Sequence, residues 1–380
     1  MIPYSKHFID KEDIDAVVDV LRNKSITQGE LVGKFEKKIS NYVKSKYAVA
    51  VTSCSAGLHL SSTVVGMKNK NVVTSPITFA STASSILHSG GKLNFADISD
   101  KNINIDLENI NNLDFNVDTI IPIHFSGSAV ELKNFRNKNP KVKIIEDSAH
   151  ALGAKYKNGD MVGSCKFSDI SVFSLHPAKT ITAGEGGIIT TNNKDYYEQL
   201  KLLANNGVQK NKEKFKIKKY KNDMWYYEVQ QLGFHYRITD FQCALAISQL
   251  NKIDMFLKAR EKIVKRYDNA FKNFNNLKPA INYLDRKNSS NHLYVVRIKY
   301  KKIKKTRSMI MNYLKSKGII TQVHYIPLMN HPFFKKYIDK NNKLKNAISY
   351  YQEALSLPVY YSLKENEQSR VIKELKYIIG

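Results

Sequence analysis

Between residues 45 and 191 the chain alternates short β-branched or apolar runs with stretches of helical spacing, and no other feature narrows its fold so far. The runs are 47–53, 71–75, 92–98, 119–125, 143–147, 169–175 and 187–191, each with the length and residue types of a buried strand. Between them, 56–65 and 78–88 carry apolar positions at helical spacing. Strands joined through helices run parallel, so the expectation is a doubly wound, mostly parallel seven-stranded α/β sheet. Ligands of such sheets bind at the carboxyl ends of the strands.

Ahead of this region, 10–22 places Ile14, Val17, Val18 and Leu21 on one stripe behind an acidic first turn, and 31–43 has a similar stripe. Two N-terminal helices are expected. After it, Thr239-Asp240 can cap a helix running through Phe241, Ala244, Ile247, Leu250, Ile253 and Leu257 to about Phe271, which would bridge two domains. Strand-like runs at 292–298, 319–325 and 355–360 then alternate with helices at 307–317, 343–354 and 366–378. Residues 1–245 are expected to form a large domain and 246–380 a smaller α/β domain.

Several classes fall away on composition. No stretch approaches the roughly 20 consecutive apolar residues of a bilayer span, and the start Met1-Ile2-Pro3-Tyr4-Ser5-Lys6 has no signal-peptide core. A cytoplasmic chain without membrane contact is expected. Cys54, Cys165 and Cys243 are far apart and form no Cys-x-x-Cys pair, so neither a disulfide framework nor a metal site is expected. The 60 Lys and Arg against 34 Asp and Glu give a net charge of +26, which raises the question of a polyanion partner. The excess is mostly lysine spread along the chain, and the dense runs 210–221 and 299–305 read as solvated surface. With no zinc-finger spacing, basic zipper or aromatic RNA-binding pattern, no nucleic-acid partner is expected.

Four constellations can carry chemistry. In Ile144-Ile145-Glu146-Asp147-Ser148-Ala149-His150 a hydrophobic strand ends in acids that would face the ligand crevice, although Asp147 or Ser148 can equally cap the next segment. Phe173-Ser174-Leu175-His176-Pro177-Ala178-Lys179 runs a strand into a loop ending in a lysine. Desolvated, that lysine would have the lowered pKa of a Schiff-base nucleophile; in so lysine-rich a chain a surface charge is the plainer reading. Thr52-Ser53-Cys54-Ser55-Ala56-Gly57 sets small and hydroxylated residues at a helix start, suited to phosphate or simply to an N-cap. In Pro76-Ile77-Thr78-Phe79 the aromatic can stack on a flat ring or fill core.

Gly-x-Gly-x-x-Gly after the first strand, the Walker lysine loop, His-Glu-x-x-His and Gly-x-Ser-x-Gly are all absent from the sequence. A phosphate site, a ring-stacking aromatic, a strand-end acid and a strand-end lysine, in that chain order, are the parts a pyridoxal phosphate site needs.

At these residues the sequence resembles the DegT-type nucleotide-sugar aminotransferases, which have the type I (aspartate aminotransferase-like) fold. The similarity spans nearly the whole chain, through Ile2-Pro3-Tyr4-Ser5, Thr27-Gln28-Gly29, 53–60, 76–80, 146–153, 173–187, 232–240 and Gln322-Val323-His324-Tyr325. His176-Pro177-Ala178-Lys179-Thr180-Ile181-Thr182, His292-Leu293-Tyr294 and the 322–325 segment are similar to the branch that makes pseudaminic-acid-type sugars. The resemblance implies Lys179 as the residue that binds pyridoxal 5'-phosphate and shuttles the proton, and Asp147 as the partner of the pyridinium nitrogen. It further implies Phe79 stacked on the ring, His150 beside it, and Ser55, the Ala56 backbone and Ser174 on the phosphate. His235, from the neighbouring subunit of a homodimer, would complete the phosphate site. Arg237, with its bidentate fork, would hold the donor carboxylate, and Gln28, His324 and Tyr325 would contact substrate.

The implied reaction moves an amino group from L-glutamate to the C4 keto group of a UDP-linked 4-keto-6-deoxy-N-acetylhexosamine. A GDP- or TDP-linked sugar, or a 3-keto one, is the alternative. A dehydratase of the same fold is disfavoured by Lys179, which that branch replaces with histidine. Two positions depart from the family pattern: His235 stands where relatives commonly have Asn, and Cys54 where they commonly have Gly. The first is expected to make cofactor affinity more sensitive to pH, the second to strain the turn if its φ is positive.

Overall fold

The computed structural model describes residues 1–111, 113–338 and 343–380. The seven expected strands all form: β1 (Tyr47–Val51), β2 (Asn71–Thr74), β3 (Lys92–Phe95), β4 (Thr119–Ile121), β5 (Lys143–Asp147), β6 (Ile170–Ser174) and β7 (Gly187–Thr191). They assemble in the order β1-β7-β6-β5-β4-β2-β3. All pairs are parallel except the two made by β7, which runs antiparallel to β1 and β6. Around this sheet lie α1 (Lys11–Asn23), α2 (Glu30–Val43), α3 (Cys54–Val64), α4 (Ala80–His88), α5 (Leu107–Asn111), α6 (Lys133–Lys138) and α7 (Lys194–Ala204).

Alternation along the strands builds two cores. Val49, Val51, Val172 and Ile189 face one layer, with Leu58 and Leu60 of α3. Ala48, Ala50, Phe173 and Ile188 face the other, with Phe35 and Ile39 of α2. Gly57 lets α3 lie against the sheet, where a Cβ would stand 2.7 Å from Val172 Cγ1. Gly187 lets β7 touch the turn ahead of α3, where a Cβ would stand 2.4 Å from the Ser53 carbonyl oxygen and 2.7 Å from the Cys54 nitrogen. Backbone cannot yield as a flexible side chain does, so Gly187→Ala is expected to cost about 1–3 kcal/mol of stability and to displace the start of α3. Thermal melts together with a cofactor titration test this, and parent values in both would contradict it.

The single long helix expected from Asp240 is in fact two, α8 (Asp240–Asn251) and α9 (Ile253–Phe271), which follow a surface segment carrying β8 (Val208–Gln209) and β9 (Glu228–Val229). The break falls at Lys252, with φ −103° and ψ 3°, whose N–H reaches back to Gln249 and Leu250 instead of continuing the helical ladder. The Lys252 ammonium is held by Asp10 at 2.6 Å and Asp13 at 2.8 Å from the start of α1. That tertiary anchor, with no Gly or Pro at the joint, is why the apolar stripe runs through the break.

The C-terminal part holds β10 (Leu277–Pro279), α10 (Tyr283–Arg286), β11 (Tyr294–Ile298), α11 (Arg307–Ser316), α12 (Lys345–Glu353), β12 (Ala354–Leu357) and α13 (Glu365–Ile379). Its antiparallel sheet has the order β10-β11-β12. The strand expected over 319–325 does not form as a continuous strand: isolated bridges join Ile319 to Ile2 and Gln322 to Ser356, and residues 322–326 line a cavity. Ile319 packs into the core of the C-terminal part with Leu355 and Leu375. Among the described residues no helix is long and apolar enough to cross a membrane.

Candidate active site

The carboxyl ends of β5 and β6, the start of α3 and residues from the segments 78–81, 292–293 and 322–334 enclose a cavity of about 1070 Å³. It brings together Ser55, Phe79, Asp147, His150, Ser174, Lys179, His324 and Tyr325.

Lys179 is placed by a turn in which its own N–H donates to the His176 carbonyl at 2.9 Å, with Pro177 at the position where its fixed φ favours such a turn. The Ala178 N–H donates to His176 Nδ1 at 3.2 Å, tightening the turn. Burial pushes the amine's pKa down; the Cys54 thiol and the Asp147 carboxylate act against this and Arg260 adds to it. Among the described residues Lys179 Nζ has no hydrogen-bond or ion-pair partner. It is a desolvated amine inside the cavity rather than one more surface charge.

Asp147 ends β5, and the capping alternative is realised in part, since Oδ1 accepts the Ala149 N–H at 3.1 Å. Oδ2 instead accepts the Thr82 hydroxyl of α4 at 2.7 Å. Burial raises the carboxyl's pKa, against which Thr82, the Ala149 N–H, Lys179 and His124 act. On the opposite face of β5, Glu146 pairs with His124 Nε2 at 2.5 Å and accepts the Tyr156 hydroxyl at 2.5 Å, a buried network that fixes the strand end from behind. Phe79, at the N-cap of α4, is 62% exposed, so it is a free aromatic wall and not core.

At the start of α3, Ser53 Oγ accepts the Ala56 N–H at 3.1 Å. The expected phosphate contact of the Ala56 backbone is therefore already used by the cap. The Cys54 and Ser55 N–H groups have no acceptor among the described residues, and Ser55 lines the cavity. Cys54 begins the helix and is not among the residues with positive φ, which removes the strain expected there. Its side chain occupies an ordinary helical position that any L-residue accepts.

Three imidazoles ring the cavity. His150 accepts the Ser126 N–H on Nδ1 at 3.3 Å, so its Nε2 carries the proton and donates to the Tyr325 hydroxyl at 3.1 Å. His292 stacks on His150 with ring centroids 4.3 Å apart, and His324 Nδ1 meets Ser356 Oγ at 2.8 Å. Burial lowers all three pKa values, well down for His150 and His292 and to about 3 for His324, with Lys179 reinforcing the effect. The unfolded chain would take up these protons below about pH 6.5 while the fold refuses them. Stability of the cofactor-free protein is therefore expected to fall as pH drops from about 6.5, at about 1.4 kcal/mol per pH unit for each group. Denaturant titrations between about pH 7 and 5, above the range of ordinary carboxylates, check this, and a flat profile contradicts it.

Three expected site residues lie elsewhere in the single chain. Gln28 and Arg237 line a separate cavity of about 270 Å³ with Lys201, Asn205 and Lys210. Arg237 bonds the Asn205 side chain and sits 3.0 Å from His235 Nε2. His235 does not line the main cavity. Sequence reasoning missed Thr82, whose only signal was its four-residue spacing from Thr78 across a helix start, and His292, noted only within a motif. Among the described residues no cluster of His, Cys, Asp and Glu is suited to a metal ion.

A cavity-lining amine and a buried carboxylate, neither with an ion-pair partner among the described residues, an exposed aromatic wall and helix N–H groups without acceptors around one cavity define a site for an anionic aromatic aldehyde cofactor. The chain belongs to the DegT/DnrJ/EryC1/StrS aminotransferase family, whose model matches residues 7–376. It is 35% identical to the UDP-4-amino-4,6-dideoxy-N-acetyl-beta-L-altrosamine transaminase of Campylobacter jejuni, over 100% of this chain and 96% of that protein. Helicobacter pylori PseC, an aminotransferase involved in the biosynthesis of pseudoaminic acid, superposes with a TM-score of 0.89 at 30% identity, covering 100% and 99% of the two chains. The putative sugar aminotransferase Spr1654 of Streptococcus pneumoniae, solved in its pyridoxal phosphate form, superposes with a TM-score of 0.87 at 25% identity, covering 99% and 98%. The chain is thus a pyridoxal-phosphate-dependent sugar aminotransferase of the type I fold, with a mostly parallel large sheet and a smaller α/β part.

Proposed function

We propose that this aminotransferase moves an amino group from L-glutamate to the C4 keto group of a UDP-linked 4-keto-6-deoxy-N-acetylhexosamine, in the biosynthesis of a pseudaminic-acid-type sugar. The observation that carries the residue assignment is that Lys179, the Asp147 carboxylate and the exposed Phe79 line one cavity. The Campylobacter jejuni transaminase named above supports the substrate class.

Bound pyridoxal phosphate supplies an electron sink for the carbon that loses its proton. Lys179 would hold the cofactor through Nζ and, once released, would take that proton and return it at the adjacent carbon; burial lowers the amine's pKa, which favours the neutral form that can accept. Asp147 would pair with the ring nitrogen, and Phe79 would cover the ring face. Ser55, the free N–H groups of Cys54 and Ser55, and Ser174 receive the phosphate. His324 and Tyr325 close the substrate side, with Tyr325 held by His150.

His235 and Arg237 act in a homodimer, where a second copy brings them to the phosphate and the donor carboxylate. The segment that precedes them supports this: Met224, Trp225, Val229 and Leu232 are exposed and await cover. The domain division at residue 245 and a cytoplasmic location belong to the same reading. The test is absorbance of the protein with pyridoxal phosphate before and after L-glutamate, followed by a screen of keto sugars on UDP, GDP and TDP. Bleaching by glutamate and amination of a UDP 4-keto sugar are expected. Bleaching followed by turnover only of another nucleotide sugar would overturn the substrate while leaving the aminotransferase.

A further inference from the structure

Asp147 is reached from α4 by two hydroxyls in series. Thr82 Oγ1 lies 2.7 Å from Asp147 Oδ2, and Thr78 Oγ1 lies 2.7 Å from Thr82 Oγ1. All three residues are buried, Thr82 completely, so water does not compete for these bonds. Their direction follows from counting protons. A carboxylate only accepts, so Thr82 donates its single hydroxyl proton to Asp147; having none left, it must accept from Thr78. Thr78 in turn lines the cavity beside Phe79.

We propose that Thr78 and Thr82 form a one-way hydrogen-bond relay that orients the Asp147 carboxylate toward the cofactor ring and holds the shared proton on the ring nitrogen rather than on Asp147. This rests on the assignment of Asp147 as the ring-nitrogen partner. One rigid element then sets two contacts, since α4 carries Phe79 at its N-cap and Thr82 a turn later. Aligned hydroxyls polarise one another, and a bond donated to an ionised carboxylate is among the stronger kinds.

The relay works against a definite opposition. Around Asp147 stand Lys179 from the 176–179 turn, His124 after β4, the Cys54 thiol of α3 and the Tyr325 phenol of the C-terminal part. Burial favours the neutral acid, while Thr82, the Ala149 N–H, Lys179 and His124 favour the anion. Cys54 and Tyr325 are neutral, because burial raises both pKa values and Asp147 raises them further. Removing the Thr82 hydroxyl strips away a short donor and leaves Oδ2 buried without it, so the proton shifts from the ring toward Asp147.

The test loads the parent, T82V, T82S and D147N with pyridoxal phosphate labelled with nitrogen-15 in the ring and reads the nitrogen chemical shift, with thermal melts as the check on folding. In the parent the shift should be that of a protonated pyridinium. T82V, nearly isosteric, should move it toward the unprotonated value and weaken binding of pyridoxamine phosphate roughly tenfold to a hundredfold. T82S should restore both, because it returns the hydroxyl; T78V should give a smaller shift of the same sign. A folded T82V with the parent's shift, or a T82S as altered as T82V, would overturn the relay. If D147N also keeps the parent's shift, the assignment of Asp147 fails as well, whereas a displaced D147N beside an unchanged T82V condemns the relay alone.

Discussion

Lys179→Ala is expected to abolish the half-reaction with L-glutamate, by about 10⁴-fold or more, while leaving the fold at least as stable as the parent's. The two halves of this expectation have one cause. Lys179 Nζ has no partner among the described residues, so its removal orphans no donor or acceptor. Its burial also disfavours the charged form, so the substitution deletes a group that the fold holds at a cost. Catalysis, by contrast, would lose both the covalent attachment and the proton carrier that we propose Lys179 to be. The measurement is a single-turnover reaction followed by absorbance, beside a thermal melt. The parent should show the visible band of the lysine-bound cofactor and lose it with glutamate; the variant should show only free cofactor. A variant that retains that band would place the attachment on another lysine.

Asp147→Asn is expected to lower turnover by about 10²–10⁴-fold without destabilising the protein. Asparagine fills the same space: its carbonyl can keep the Ala149 N–H while its NH2 donates to Thr82 Oγ1, whose hydroxyl then turns to donate to Thr78, so the packing between β5 and α4 is kept. The difference is the anion. The carboxyl's folded pKa is raised by burial above its unfolded value of about 3.9, so the parent loses stability as pH rises through that range. The amide does not, and at neutral pH the variant should melt at the parent's temperature or slightly above. Activity and stability therefore move apart, which a merely structural role for Asp147 would not produce. Equal loss of both would assign Asp147 to the Asx-type bond with Ala149 and nothing more.

These two residues also show where sequence reasoning is strong. Asp147 and Lys179 each follow an apolar run that ends in polar or small residues, and a parallel sheet places such ends on one side. The alternation of apolar residues and the lengths of the gaps are local properties, so the seven strands and most helices were legible. Failures came where a distant residue decides local geometry. The break at Lys252 is held by Asp10 and Asp13 at the start of α1, and the segment 319–325 finds only isolated pairing, to the distant Ile2 and Ser356, instead of a continuous strand partner. The resemblance implies the Ala56 N–H on the phosphate, whereas in the structure it donates to Ser53 Oγ, a partner that the order of residues does not reveal.

By itself the sequence determined the strand-and-helix alternation, the placement of an acid and a lysine at strand ends and the resemblance that points to the cofactor, because all of these reside in residue types and spacing. Only the tertiary structure decided that Lys179 is desolvated, that Thr82 reaches Asp147 across 65 positions of chain, and that Gln28 and Arg237 face a second cavity. Burial and hydrogen-bond partnership are set by which elements pack together, and that depends on the sum of many weak contacts rather than on any local pattern.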